Sequence, residues 1–352
     1  MTKQAQFFVG IDVSDTTSVV RVMNEAGAVV RRRQIRNTER AFSAEFEGRS
    51  GMRVALEAGT QSMWMERVLR SYGHEVFVAN PRQLQLISKN VHKSDDNDAE
   101  VLARLVRVDP ALLRPIRHRS EDAHRELLLV RARRVAVRVR TELVNSVRGM
   151  VKSLGVRLPK CTTKSFEDRV FETLEPDLRE TLAPLLELVG DASKVIAEYD
   201  KAVAELGAQI PAVQRMQTIP GVGPLTAFAF YYSIDDPTRF QKARDVGAYL
   251  GLTPRRSQSG TRDPQLGITK VGDPYLRALL GQCAHRLLGP LTKTPSALRD
   301  FGLRKAGEGE SSGAKKRALV ALTRKLSILM LKLWRDDEEF VAYPNGAPAT
   351  AA

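Results

Sequence analysis

From Gln6 to about Leu113 the chain alternates between short apolar runs and helical periodicities. Phe7 to Val13 is almost continuously apolar, as a strand buried on both faces should be. Asp15-Thr16-Thr17 turns the chain, and Ser18 to Met23 and Ala28 to Arg33 read as two further strands around an Asn24–Gly27 turn. Glu39 to Phe46 is helical, Arg53 to Leu56 is a short strand, and Gln61 to Tyr72 is an amphipathic helix. Glu75 to Ala79 is another strand, stopped by Asn80-Pro81, and Asp98 to Val106 is an Ala- and Leu-rich helix. Strands with hairpin links, then strands separated by helices, predict an α/β domain over residues 1–113: a mixed sheet with flanking helices.

Beyond this region the pattern becomes helical. Ser120, followed by Glu121 and Asp122, makes a good helix start by capping and by complementing the helix dipole. Leu127, Val130, Arg134, Val137, Thr141, Val144 and Val147 keep a helical spacing until Gly155 and Pro159 end it. A second helical stretch follows, so residues 114–210 read as an all-α hairpin or coiled-coil arm. Residues 211–341 form a mainly helical domain punctuated by Gly and Pro, and 342–352 a Pro/Ala/Gly-rich tail expected to be disordered.

Charge changes this picture. The 352 residues carry a formal net charge of +14, which points to a polyanionic partner: nucleic acid, an anionic membrane, or only a solvated basic surface. The excess is clustered. Between Arg114 and Lys160 thirteen Lys or Arg face four Asp or Glu, whereas Cys161 to Ile210 holds five basic and eleven acidic residues. The first helix therefore suits nucleic acid, through Arg131, Arg134 and Arg138 among others, and the second a protein contact. The run from Ala318 to Trp334 is broken by Arg324, Lys325 and Lys332, so it is no membrane span. The polar N-terminus argues against a signal peptide, and Cys161 and Cys283 fit a reducing compartment rather than a disulfide framework. The expected location is the cytoplasm, in association with the nucleoid.

Two constellations carry candidate chemistry. Asp12 sits near the end of an otherwise apolar strand, and Glu57 closes Val54-Ala55-Leu56 in the same way. Carboxylates entering an apolar sheet are costly unless hydrogen-bonded, neutralised or bound to a cation. Asp95 and Asp98, three apart at a helix start, share a face. Together the four make an oxygen-only donor set that suits Mg²⁺ or Mn²⁺ better than Zn²⁺. Taken singly, each also fits as a turn, cap or first-turn acid.

The second constellation lies further on. The turn Ile219-Pro220-Gly221-Val222-Gly223-Pro224 before a helix leaves backbone N–H groups at Gly221 and Gly223 for a phosphate, as in a helix-hairpin-helix element. The segment from Gly251 to Gly260 then places Ser257 and Ser259 among Arg255, Arg256, Arg262 and Lys270. Arginines cannot serve as the base that a serine nucleophile needs, but they can neutralise a phosphate under attack. Composition alone favours a phosphate-contacting loop with an incidental serine.

The two constellations together resemble the DEDD-type insertion-sequence transposases, relatives of the Piv-type DNA invertases. The likeness rests on GIDVS, ALEAGT and KSDDNDAEVLA around the four acids, and on IPGVGPLTA, AYLGLTPRRSQSG, ITKVGDPYLRALL and ALTRKLSILML. It spans about Phe7 to Leu333 in the expected order. The resemblance implies an RNase H-like (RuvC-like) domain with a catalytic, metal-binding tetrad at Asp12, Glu57, Asp95 and Asp98. It implies a nucleophile at Ser259 that forms a covalent 5′-phosphoserine link with DNA. It further implies a structured bridge RNA as guide, element ends and target DNA as substrates, and dimers that pair into tetramers with composite sites. The family often has Ser-Ser-Gly in this loop; here Gln258 precedes Ser259, so Ser257 stays an alternative. Two rivals are a water-using RNase H-like nuclease of the junction-resolvase type and a non-enzymatic nucleic-acid-binding protein.

Overall fold

The computed structural model describes residues 6–344 and 346, apart from positions 50, 82–94, 265, 291, 293 and 308–311. It divides into two compact units, Met1–His118 and Arg119–Ala352.

The first unit is built on five strands: β1 (Phe8–Val13), β2 (Thr17–Met23), β3 (Val29–Arg36), β4 (Arg53–Glu57) and β5 (Glu75–Ala79). Their order is β3-β2-β1-β4-β5, with β1, β2 and β3 antiparallel and β1, β4 and β5 parallel. The mixed sheet expected from the sequence is therefore present. Helices α1 (Glu39–Phe46) and α2 (Ser62–Ser71) bury Phe42, Phe46, Met65 and Leu69 against Val9, Ile11, Val54 and Leu56. Because side chains alternate along a strand, Phe8 and Ala55 point to the opposite face. There they meet Leu102, Ala103 and Val106 of α3 (Asp95–Val108). The helix crosses β1 so closely that a Cβ on Gly10 would stand 1.9 Å from the Ala99 carbonyl oxygen. Edge strand β3 carries the exposed Arg32 and Arg33 beside the half-buried Arg31, a charged fringe that discourages pairing with another sheet.

Helix α3 begins a turn earlier than the apolar periodicity indicates. Asp95 and Asp96 contribute no apolar face, yet three acids in the first turn complement the dipole and extend the helix. Lys93 and Ser94, which precede them in the motif, lie outside the described residues.

The second unit is helical. Helix α4 (Glu121–Ser153) is capped by the Ser120 hydroxyl, which accepts from the Ala123 N–H and donates to Asp235. It pairs with α6 (Pro176–Ala208), and α5 (Phe166–Thr173) packs against the far end of that pair through Phe166 and Val170. Arg133 reaches Asp200 and Arg140 reaches Ser193, which sets the two long helices antiparallel. The remaining helices are α7 (Pro211–Gln217), α8 (Pro224–Ile234), α9 (Val246–Tyr249), α10 (Pro274–Leu288), α11 (Ala297–Gly307) and α12 (Ser312–Asp336). The base of the arm is not separate from them: Leu127, Val130 and Val203 belong to the same core as Phe228, Leu280 and Leu326. At the start of the expected tail, the Ala342 carbonyl accepts from Ala297 N–H and the Tyr343 hydroxyl meets Asp300; positions 345 and 347–352 lie outside the described residues. Among the described residues no helix is long and apolar enough to cross a membrane.

Candidate active site and nucleic-acid surface

Parallel pairing of β1 with β4 aligns Ile11 with Leu56, so the next residues, Asp12 and Glu57, stand abreast at the two strand ends. Both follow the alternation of Phe8, Gly10 and Ala55 and face the side that α3 covers. Asp98, in the first turn of α3, is buried on that side at 4% exposure, whereas Asp95, at the helix start, is exposed. Three of the four predicted acids are thus half-buried or buried on one face. The donor chemistry is all carboxylate, which fits a hard divalent cation. As placed, no three His, Cys, Asp or Glu side chains among the described residues gather around one metal position.

Sequence reading missed a residue that shapes this face. Arg21 of β2 pairs with Gly10, so its side chain projects beneath α3, and it is 5% exposed. It forms an ion pair with Asp96 and donates to the Val20 carbonyl. Burial holds its guanidinium below the ordinary arginine value, Arg32 pushes the same way, and Glu100 opposes them. Arg21 thereby ties the acidic first turn of α3 to the sheet. A lone arginine within Ser18-Val19-Val20-Arg21-Val22-Met23 was the available signal: a cation inside an apolar strand needs a partner.

The serine loop belongs to the second unit. Thr269 N–H bonds to Thr253 O at 2.9 Å, Lys270 N–H to Gly251 O at 3.1 Å, and Arg255 N–H to Gly267 O at 2.9 Å. These make a paired stem. At the tip Ser259 and Arg262 exchange backbone bonds of 3.1 and 3.0 Å around Gly260, whose φ is +56°. Ser259, Ser257, Arg255, Arg256 and Arg262 are all exposed, and Arg256 lies 3.6 Å from Asp263. The base of the hairpin is pinned by close backbone approach. A Cβ on Gly251 would lie 2.4 Å from Val271 N, and one on Gly272 would lie 2.3 Å from Tyr249 O. Only glycine fits at either place, and both have φ near +70° (68° and 73°). The nucleophile candidate therefore rides on a solvent-exposed tip above a rigid root.

Gly221, at φ +87°, turns the chain between α7 and α8 and packs near the Cys283 carbonyl, while Gly223 caps α8 with open space at its Cα. Arg131, Arg134 and Arg138 are exposed along one face of α4. Arg131 and Arg134 line a recess of about 430 Å³ together with Arg119, Asp273 and Tyr275, and the Arg134 guanidinium lies 4.7 Å from the Tyr275 ring centre. His124 records the local field: burial lowers its pKa, and Arg131 and Arg119 lower it further. The arm's charge is thus divided, with Arg133 and Arg140 turned to α6 and the three predicted arginines turned to solvent.

Comparison with known proteins matches both halves. Residues 9–155 fit the DEDD transposase model of the IS110 group, and residues 213–296 fit the model described as transposase IS116/IS110/IS902 family. The transposase of insertion sequence IS1328 from Yersinia enterocolitica is 31% identical over 238 residues, covering 66% of this chain and 69% of that protein. The chain belongs to the IS116/IS110/IS902 family of transposases. Another relative is the IS1111A transposase of Coxiella burnetii, 26% identical over 79% of this chain and 77% of that protein. A third is the pilin gene-inverting protein of Moraxella bovis, 25% identical over 77% of this chain and 76% of that protein. All four acids fall inside the first matched segment, and Ser259 inside the second.

Proposed function

We propose that this transposase cuts and rejoins DNA by phosphoryl transfer through a covalent 5′-phosphoserine at Ser259, with Asp12, Glu57, Asp95 and Asp98 as its metal-holding acids. The observation that carries the reading is the side-by-side placement of Asp12 and Glu57 at the ends of parallel strands, on the face where α3 buries Asp98. Three antiparallel strands followed by two parallel ones, with acids at the ends of β1 and β4, support an RNase H-like (RuvC-like) assignment of the first unit. A Mg²⁺ or Mn²⁺ ion held there would supply charge stabilisation for the phosphate oxygens.

In the reaction, Ser259 Oγ attacks the scissile phosphorus and gives up its proton. The bond to the 3′ oxygen breaks, the strand leaves as a 3′-hydroxyl, and the 5′ phosphate stays on the serine. Attack by another 3′-hydroxyl reverses these steps, which conserves the bond energy that hydrolysis would discard. Arg255, Arg256 and Arg262 flank Ser259 along the hairpin and would neutralise the phosphate as charge develops. A composite site shared between subunits of a dimer, and of dimers paired into a tetramer, is part of the proposal. So is a structured guide RNA, for which the exposed arginine face of α4 offers backbone contacts.

The test is to incubate protein, Mg²⁺ and element-end DNA, then denature. A protein–DNA adduct is expected from the wild type and from Ser257→Ala, and none from Ser259→Ala. Cleavage with no adduct would make the enzyme a water-using nuclease. Asp12→Ala and Glu57→Ala should abolish cleavage; full activity in both would reduce the acids to structural groups.

A further inference from the structure

The second unit holds a groove that the proposed reaction leaves unused. It has a volume of about 1000 Å³ and lies between the stem of the serine hairpin and α12. Its walls are apolar: Leu252 and Ile268 from the stem, Phe301 from α11, Val320 and Ile328 from α12. Its rim is cationic, formed by Lys270, Lys316, Arg317, Arg324 and Lys325, and no carboxylate lines it among the described residues. The Lys325 ammonium stands 4.2 Å from the Phe301 ring centre, and Arg324 Nε is buried without a hydrogen-bond partner.

Five like charges around one apolar cleft repel each other, and an arriving anion relieves that repulsion. On α12 the pairs Lys316-Arg317 and Arg324-Lys325 lie about 12 Å apart along the axis, so the charge extends as a track rather than a point. The occupant must therefore carry several anions in a row and, between them, flat surfaces willing to leave water. Stacked bases in a duplex hide those surfaces, whereas an unpaired strand exposes one base for every phosphate. The groove is also continuous with the hairpin, because Leu252, Pro254 and Ile268 belong to both. We infer that it binds an unpaired stretch of nucleic acid, with bases in the apolar cleft and phosphates on the five-cation rim. Its role beside the cut strand rests on the assignment of Ser259; its binding does not.

Binding is measured in EDTA, by fluorescence anisotropy, with a single-stranded DNA oligonucleotide, the RNA of the same sequence, and the duplex. Ala321→Phe fills the cleft and keeps every cation. It should weaken both single strands about tenfold and leave the duplex unchanged, since base stacking and burial are what it removes. Lys316→Ala/Arg317→Ala changes two exposed residues and should flatten the slope of log affinity against log salt by about 1.4 for single strands. The stronger of the two wild-type single-strand affinities tells whether the occupant is RNA or DNA. Unchanged single-strand binding in both variants overturns the inference. So does an acidic, apolar peptide that displaces the oligonucleotide as well as a second oligonucleotide does. Ser259→Ala should bind all three probes like the wild type, so a failed nucleophile assignment and a failed groove are distinguishable.

Discussion

The carboxylate face and the serine hairpin are held in opposite ways. Asp12, Glu57 and Asp98 are fixed from behind by a sheet and a helix whose contact tolerates no side chain at Gly10. Ser259 stands on an exposed tip, and rigidity begins only at its root, where Gly251 and Gly272 let backbone meet backbone. Acids that must share one face have to be placed before any ligand arrives, since their mutual repulsion would otherwise disperse them. On the proposed mechanism, a serine that must meet a bulky phosphate benefits from standing clear of the protein, provided the root of its hairpin does not wander.

This contrast can be broken at its strongest point first. Gly10→Ala sets a Cβ against the Ala99 carbonyl and should destabilise the first unit by about 3 kcal/mol, seen as an early transition in urea unfolding of the full chain. Persistence of a single wild-type transition would mean that α3 is not seated as tightly as described. Gly251→Ala attacks the hairpin root and should reduce recombination about 100-fold while costing the second unit about 1–3 kcal/mol. Wild-type recombination by a folded Gly251→Ala protein would show that the root does not set the position of Ser259.

Arg21→Met probes the bridge between sheet and acidic turn. Asp96 is half exposed and returns to water, so the loss is the buried hydrogen bonding, about 1–3 kcal/mol, with weaker divalent-ion binding by calorimetry. Arg21→Lys should recover part of the ion binding. The smallest effect concerns pH. His74 is buried against Phe46, and burial lowers its pKa below the ordinary 6.5 despite the Phe46 carbonyl. The unfolded chain therefore takes up the proton more readily. The stability contributed by neutral His74 is full above pH 6.5 and is lost as pH falls through the lowered value. His74→Phe should flatten the acid limb of stability against pH for the first unit.

Much of the fold was legible because local periodicity dictates it. The strand from Glu75 to Ala79 and the helix from Glu39 to Phe46 appear as the pattern predicts, and Ser120 caps the long helix. The periodicity of α3 gave a late start, because the residues that extend it are charged and act through the dipole rather than through burial. The arm and the C-terminal helices read as separate domains, yet they share a core through Leu127, Val130 and Val203, positions whose apolar spacing cannot say which partner they will meet.

The same division holds for chemistry. By itself the sequence determined the identity of the four acids, the two serines and the clustered arginines, and which face of each element they occupy. Period and composition are properties of neighbours along the chain. Tertiary structure decided that Glu57 stands abreast of Asp12, that Arg21 clasps Asp96, and that the hairpin stem and α12 enclose a cationic groove. Parallel register, ion pairs between elements and grooves join residues far apart in sequence, and they exist only once burial of the two cores has fixed which elements are neighbours.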